Sequence, residues 1–363
     1  MKIHFVNRLI VFVLLICTAL SCNNASDGKS PYYGKTNIAD MVLIYHGAVH
    51  RPLEWNKDQF IPYVVHQDRQ GKKNWLFDGF LFTEYVDGKG HHFAHGNATT
   101  TLARQPEWKW LMDRQFEKDR GLSGLDQCIG EQIKEMGNPP FRHKVVVVMP
   151  VPEKEQTDWG KINRPLNFTN DEDRIEACKW YVDSFLERYR QQGYKNFDLE
   201  GFYWVCEKDG TYRDILVPIG DYIRSKNLRF FWIPYWTALG FDNWKTDKFD
   251  LAYIQPNYFL KDEIPRERLD AVCAFAKGTN MGVEMEFDSR ALADSPENKR
   301  DRLISYIEAF EENGVFKEAS IAYYEGGGAI YDFYRSDNPL DKEIMDRLAN
   351  IIIRRKKIEF RNK

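Results

Sequence analysis

Eight short apolar runs recur along the chain, each followed by a longer stretch with helical spacing, and this alternation constrains the fold more than any other feature. The runs are MVLIYHG (Met41–Gly47), WLFDGFLFTEY (Trp75–Tyr85), HKVVVVMPVP (His143–Pro152), FDLEGFYW (Phe197–Trp204), LRFFWIPYW (Leu228–Trp236), DLAYIQPNY (Asp250–Tyr258), MGVEMEFD (Met281–Asp288) and ASIAYYEGG (Ala319–Gly327). Continuous β-branched runs such as Val145–Val148 suit strands buried on both faces of a parallel sheet. Between the runs, Ile175, Cys178, Val182, Phe185 and Tyr189 fall on one helical face, with Thr169 or Asn170 as the cap and Gly193 as the stop. A second helix is predicted with Ser295 as N-cap, Pro296 at its first position and Gly314 at its end. Further helices are expected near Trp108–Met136, Arg213–Lys226, Arg266–Lys277 and Lys342–Lys356. Strand and helix alternating eight times predict an α/β fold, a (β/α)8 TIM barrel. A doubly wound open sheet is the competing topology, but no glycine-rich phosphate loop follows the first run. The long stretch from Val86 to Pro140 exceeds a simple strand–helix unit and is expected to carry a loop over the barrel mouth.

The chain of 363 residues is 43% hydrophobic and 29% charged, which excludes a disordered polypeptide. A net charge of -3 without a basic block excludes a nucleic-acid footprint. Lys2 and Arg8 precede the apolar run Leu9–Leu20, too short to span a bilayer and of signal-peptide length. The segment ALSC ends at Cys22 and resembles a lipoprotein signal-peptidase site, with Ala19 where leucine is commoner. Residues 1–21 are thus expected to be a lipoprotein signal peptide, Cys22 the lipidated residue, residues 22–39 a flexible tether and residues 40–363 the barrel. A bacterial cell-envelope location follows, with membrane attachment through Cys22 and a monomeric catalytic domain. Cys128, Cys178, Cys206 and Cys273 are widely spaced and are expected to be free, buried thiols.

The seventh run sets Glu284, Glu286 and Asp288 in alternation with Val283, Met285 and Phe287. On a solvated edge strand this would be a polar outer face. In a closed barrel the apolar set meets the helices and the acids line the interior, toward the C-terminal mouth where such enzymes carry their sites. Glu200 lies within the fourth run, and Glu207 lies just past it. Strands four and seven face each other across such a barrel, so Glu207 and Glu286 can flank one scissile bond, as glycoside hydrolysis requires. The spacing assigns Glu207 as acid or acid/base and Glu286 as nucleophile or base, with Glu284 and Asp288 as alternatives. Other strand ends carry types that suit a sugar ligand: Tyr45, His46, Glu84, Tyr235, Trp236, Gln255, Asn257, Tyr258, Tyr324 and Glu325. Aromatic faces stack on a pyranose while amides and acids bond its hydroxyls. Carbohydrate is accordingly the expected partner. Gly326–Gly328 permits close backbone approach or is a plain loop. His91, His92 and His95, with His143 further on, raise the possibility of a metal, but their glycine-flanked segment lacks the spacing of a zinc site. No metal and no cofactor are expected.

The series MVLIYHG, FDGFLF, LEGFYWVCE and GVEMEFD resembles the domain-of-unknown-function 4855 family, bacterial proteins grouped with barrel glycoside hydrolases, over roughly Asp40–Lys356. The resemblance implies a (β/α)8 barrel and sugar cleavage. By likeness to retaining barrel glycosidases it also places the acid after strand four at Glu207 and the acid ending strand seven at Glu286. Those enzymes carry Asn-Glu at the first position, where this chain has Cys206-Glu207.

Overall fold

The computed structural model describes residues 37–47, 51–94, 101–208 and 212–359. The expected signal peptide, Cys22 and all but the last residues of the tether lie outside these residues, as does His95. Among the described residues, eight parallel strands close into one barrel in sequence order: β1 (Asp40–Tyr45), β2 (Gly79–Thr83), β3 (His143–Met149), β4 (Phe197–Trp204), β5 (Arg229–Trp232), β6 (Leu251–Ile254), β7 (Gly282–Glu286) and β8 (Ile321–Tyr324). β1 pairs with both β2 and β8, which closes the cylinder. Seven strands fall inside their apolar runs, and β1 begins one residue before its run, at Asp40. The second run is longer than its strand because Trp75 ends a small hairpin with Val65–Gln67 outside the barrel.

Strand parity sorts side chains as the alternation in the sequence requires. Phe202 meets Phe185 of helix α4 (Asp171–Gln192), while Tyr203, next along the strand, is grouped with Tyr85 and Glu207 inside the barrel. Burying each such phenylalanine contributes roughly 1.5–3 kcal/mol. Asn170 caps α4 by accepting from Glu172 N, and Gly193 ends it in the left-handed region, as expected from sequence. β4 carries a bulge between Leu199 and Gly201. At Gly201 a Cβ would come within 2.0 Å of Arg229 O, so the bulged strand needs glycine to approach β5.

Two expectations change. The predicted helix over Trp108–Met136 is two helices, α2 (Gln105–Gln115) and α3 (Gly121–Met136). Asp119, between them, and Gly121, which opens α3, both take positive φ, which no continuous helix tolerates. The helix expected to start at Ser295 begins instead at Arg300, as α7 (Arg300–Glu312). Lys299 is pinned to Asp262 and the Phe259 carbonyl, and Asn298 adopts a φ of 44°, so residues 295–298 form turns. The remaining helices are α1 (Ile61–Val64), α5 (Arg213–Ser225) and α6 (Glu267–Thr279), and the chain closes with α8 (Val315–Glu318), α9 (Ala329–Arg335) and α10 (Pro339–Glu359). Cys128, Cys178, Cys206 and Cys273 are buried thiols outside any disulfide.

Candidate active site

Glu284 and Glu286 share one face of β7 and both are buried, while Val283, Met285 and Phe287 belong to the surrounding apolar core. Glu286 ends its strand beside Tyr324 of β8. The Tyr306 hydroxyl, carried on α7, reaches over the strand end and donates to Glu286 Oε2, whereas Oε1 has no hydrogen-bond partner. Glu207 follows β4 and is half-buried. Its Oε1 accepts from the Tyr85 hydroxyl at 3.0 Å and from Gln255 Nε2 at 3.1 Å. Gln255 is fixed in turn by donating to Ile233 O at 2.9 Å. Tyr85 also lies 3.4 Å from the Tyr203 hydroxyl.

These groups form one electrostatic unit. Burial raises Glu286 to about 7, with the Glu207 charge adding to the rise and Tyr306 opposing it. Burial raises Glu284 well above the carboxylate range, and the neighbouring Glu286 and Glu207 push it further. Tyr45, Tyr203 and Tyr324 face this set and hold their protons far above the usual phenol range, through burial and the acids around them. Tyr45 stacks at 6.2 Å on Tyr85 and meets Tyr324 edge-on at 5.8 Å.

Several expected ligand residues have other work. Glu200 is at the far end of the barrel: the bulge turns it to Lys144 at 3.6 Å and Arg229 at 3.2 Å, both near strand starts. His46 is buried, its Nε2 lies 2.6 Å from Arg114 O, and burial lowers it to about 3, so it is a neutral packing group. Glu84 is clamped by Arg51 through two contacts of 2.5 and 2.8 Å. Glu325 accepts from Tyr63 and from Ile330 N, each at 3.0 Å, and so anchors the start of α9. Tyr258 lies under Arg302 at 3.7 Å, and Trp236 packs on Phe241 and Phe275. Asp288 stays near the mouth but is paired with Arg290 at 2.6 Å and caps a 3-10 turn. Asn257 takes a left-handed φ of 58°, and its backbone helps hold down the Glu286 carboxyl. Tyr235 is half-buried and bridges to Gln255 through the backbone. Gly326 and Gly327 approach side chains: a Cβ on Gly326 would fall 2.5 Å from Asp288 Cβ.

The sequence reading passed over Tyr203, Tyr306 and Arg51. Tyr203 could have been found from parity, since it alternates with Phe202 and Trp204. Tyr306 sits within the apolar stripe of its helix, and no local signal marks it. His91 is paired with Asp87 at 2.6 Å, His143 is enclosed by aromatic rings, and among the described residues no group of acids, histidines and cysteines could hold a metal.

The fold and site define a (β/α)8 barrel with an acidic, tyrosine-ringed mouth. The chain belongs to the family described as Domain of unknown function (DUF4855), whose model matches residues 40–350. No curated protein matches the sequence. Among solved structures it is similar to a noncanonic maltogenic alpha-amylase from Thermotoga neapolitana, at 12% identity and a TM-score of 0.46, covering 88% of this chain and 77% of that one. It is also similar to concanavalin B, at 9% identity and a TM-score of 0.41, over 85% and 99% of the two chains. A mutant tryptophan synthase alpha-subunit from Pyrococcus furiosus matches at 6% identity and a TM-score of 0.36, over 86% and 96%.

Proposed function

We propose that this protein is a glycoside hydrolase that uses Glu286 and Glu207 as its two carboxyl groups. One observation carries the reading: two acids from opposite strands converge on one mouth in contrasting environments. Glu286 is buried and raised to about 7, suited to holding a proton for the leaving oxygen. Glu207 is half-buried and accepts from two donors, Tyr85 and Gln255, suited to act as nucleophile or base. As the bond from the anomeric carbon to the leaving oxygen breaks, the Glu286 proton passes to that oxygen. Glu207 then bonds the anomeric carbon or takes a proton from an attacking water. These roles reverse the order expected from strand position; burial and hydrogen bonding support the reversal.

The test is turnover of a panel of aryl glycosides and glycans by the wild type and by Glu207→Gln and Glu286→Gln. Each substitution should cost on the order of 10³-fold in kcat/KM. If Glu207 is the nucleophile, azide should restore cleavage of aryl glycosides to Glu207→Ala with a glycosyl azide of inverted configuration, and to Glu286→Ala with one of retained configuration. Wild-type rates in both variants would remove the assignment, and binding without turnover across the panel would favour a non-catalytic carbohydrate-binding protein. We further propose that Cys22 carries a lipid that tethers the barrel to the bacterial envelope. Loss of the protein from the membrane fraction on Cys22→Ser is the expected outcome.

A further inference from the structure

Helix α7 carries Arg302 and Tyr306 four residues apart, and so on one face. Tyr306 meets the Glu286 carboxyl directly, and Arg302 meets it through one intervening turn. The Tyr306 hydroxyl donates to Oε2. The backbone amides of Asn257 and Tyr258, in the turn after β6, also donate to this carboxyl. Among the described residues Oε1 has no partner, so the donors gather on the Oε2 side. The Tyr258 amide donates to the Tyr306 oxygen as well, which leaves the hydroxyl's own hydrogen for Glu286. Arg302 fixes that turn. Its guanidinium donates to the carbonyl of Tyr258 at 2.8 Å and to those of Lys261 and Ile264 at 2.9 Å each. It also lies 3.7 Å from the centre of the Tyr258 ring, and that ring meets Tyr306 edge-on at 5.6 Å.

We propose that Arg302 and Tyr306 are positioning residues that set the donatable proton of Glu286 on Oε1, the oxygen without a protein partner. The inference rests on the glycosidase reading for what that proton does. The physical reason is the direction of the hydrogen bonds. An amide can only donate, and the Tyr306 hydrogen is already directed at Oε2. A proton on Oε2 would point at those hydrogens, whereas Oε2 as the carbonyl oxygen accepts from them. The proton therefore belongs to Oε1. A carboxyl rotated by half a turn would hide it from the leaving oxygen, and a misplacement of about 1 Å can cost on the order of 10²-fold in rate. The titratable groups facing Glu286 are Glu284 on the same strand, Glu207 after β4, Tyr306 of α7 and Tyr324 of β8, and Lys208 follows Glu207 in the chain. Burial and these groups set how tightly the proton is held. The donors on α7 and the turn after β6 set where it is held.

Infrared difference spectra, taken with the carboxyl protonated and ionised, read the carbonyl stretch of protonated Glu286, and Glu286→Gln assigns the band by removing it. In the wild type the band should lie low, because the carbonyl is the hydrogen-bonded Oε2. Tyr306→Phe, nearly isosteric, should move it to higher wavenumber. Arg302→Met should do the same by releasing the Tyr258 amide, with Arg302→Lys as the second variant where the methionine form does not fold. A proton on Oε2 would instead leave Oε1 as the carbonyl, with a band that is high in the wild type and unmoved by either substitution. In the same variants kcat/KM should fall about 10²-fold on glycosides with a poor leaving group, and less than about 10-fold on 2,4-dinitrophenyl glycosides, whose leaving group departs without a proton. A merely structural defect would slow both substrates alike. An unmoved band in Tyr306→Phe or in a folded Arg302 variant, or equal losses on the two substrate types, overturns the proposal. Shifted bands with no turnover by the wild type would fail the hydrolase reading alone, and turnover with unmoved bands would fail this inference alone.

Discussion

Asp40 and Glu286 are both fully buried carboxyls in one barrel, at opposite ends of its strands, and they are held in opposite ways. Asp40 opens β1. Burial alone would raise it, but Arg355 at 2.9 Å and Lys356 at 2.7 Å outweigh that and keep it below the ordinary range. Lys356 also binds Asp78 at 2.9 Å, so the last helix is latched to the strand starts by buried ion pairs. Glu286 closes β7 with a phenol as its side-chain partner and stays raised. The same chemical group is thus a fastener where cations meet it and a proton-holding acid where a phenol, backbone amides and other acids do. In barrels of this type the strand starts serve stability and the strand ends serve chemistry.

The contrast can be broken most forcefully at the fastener. Asp40→Asn removes the anion shared by Arg355 and Lys356, and leaving buried charge uncompensated should cost about 3–5 kcal/mol, read by urea unfolding. At the mouth the sign inverts. Glu286→Gln should raise stability at pH 8 by about 3 kcal/mol, because a carboxyl raised from its ordinary value to about 7 opposes folding once ionised. The working is direct: the folded state holds the Glu286 proton more tightly, so wild-type stability from this group is full below about 4.5 and is lost as pH rises through about 7. The gain in the variant should therefore vanish in acid. For Asp40, with its lowered value, stability is present in neutral solution and lost as pH falls through the folded value, so the two variants should show opposite pH slopes. Gly326→Ala sharpens the comparison at lower amplitude. Its φ of +66° and the 2.5 Å approach to Asp288 Cβ should cost about 1–3 kcal/mol and displace the loop over Tyr45. The smallest effect is expected from Tyr85→Phe, within about 1 kcal/mol of wild-type stability, since Gln255 still donates to Glu207. Chemical denaturation and a pH–rate profile would register the last two.

The strands were legible because their signal is local. β4 coincides with its apolar run from Phe197 to Trp204, and β7 announced its acidic face through simple alternation. The choice of mouth acids was legible for the same reason: parity on β7 and position just past β4 place Glu286 and Glu207 without reference to neighbours. The choice of ligand residues was not. Glu84, Glu200, His46 and Glu325 sit in acidic or aromatic strand segments that look alike in the chain, yet each is held by Arg51, Arg229, the Arg114 carbonyl or α9. Helix starts failed where a buried side chain, as at Lys299, overrode a favourable cap.

By itself the sequence determined the alternating strand–helix order, the inward face of each strand and the presence of acids near the strand ends. These follow from hydrophobic periodicity and from the two-residue repeat of a strand, both properties of adjacent residues. The tertiary structure alone decided which acids are neutralised. Asp40 meets Lys356 from 316 positions away, and Glu207 meets Tyr85 from 122. A carboxyl's proton affinity depends on the charges and dipoles within a few ångströms, and chain closure into a barrel is what sets that company.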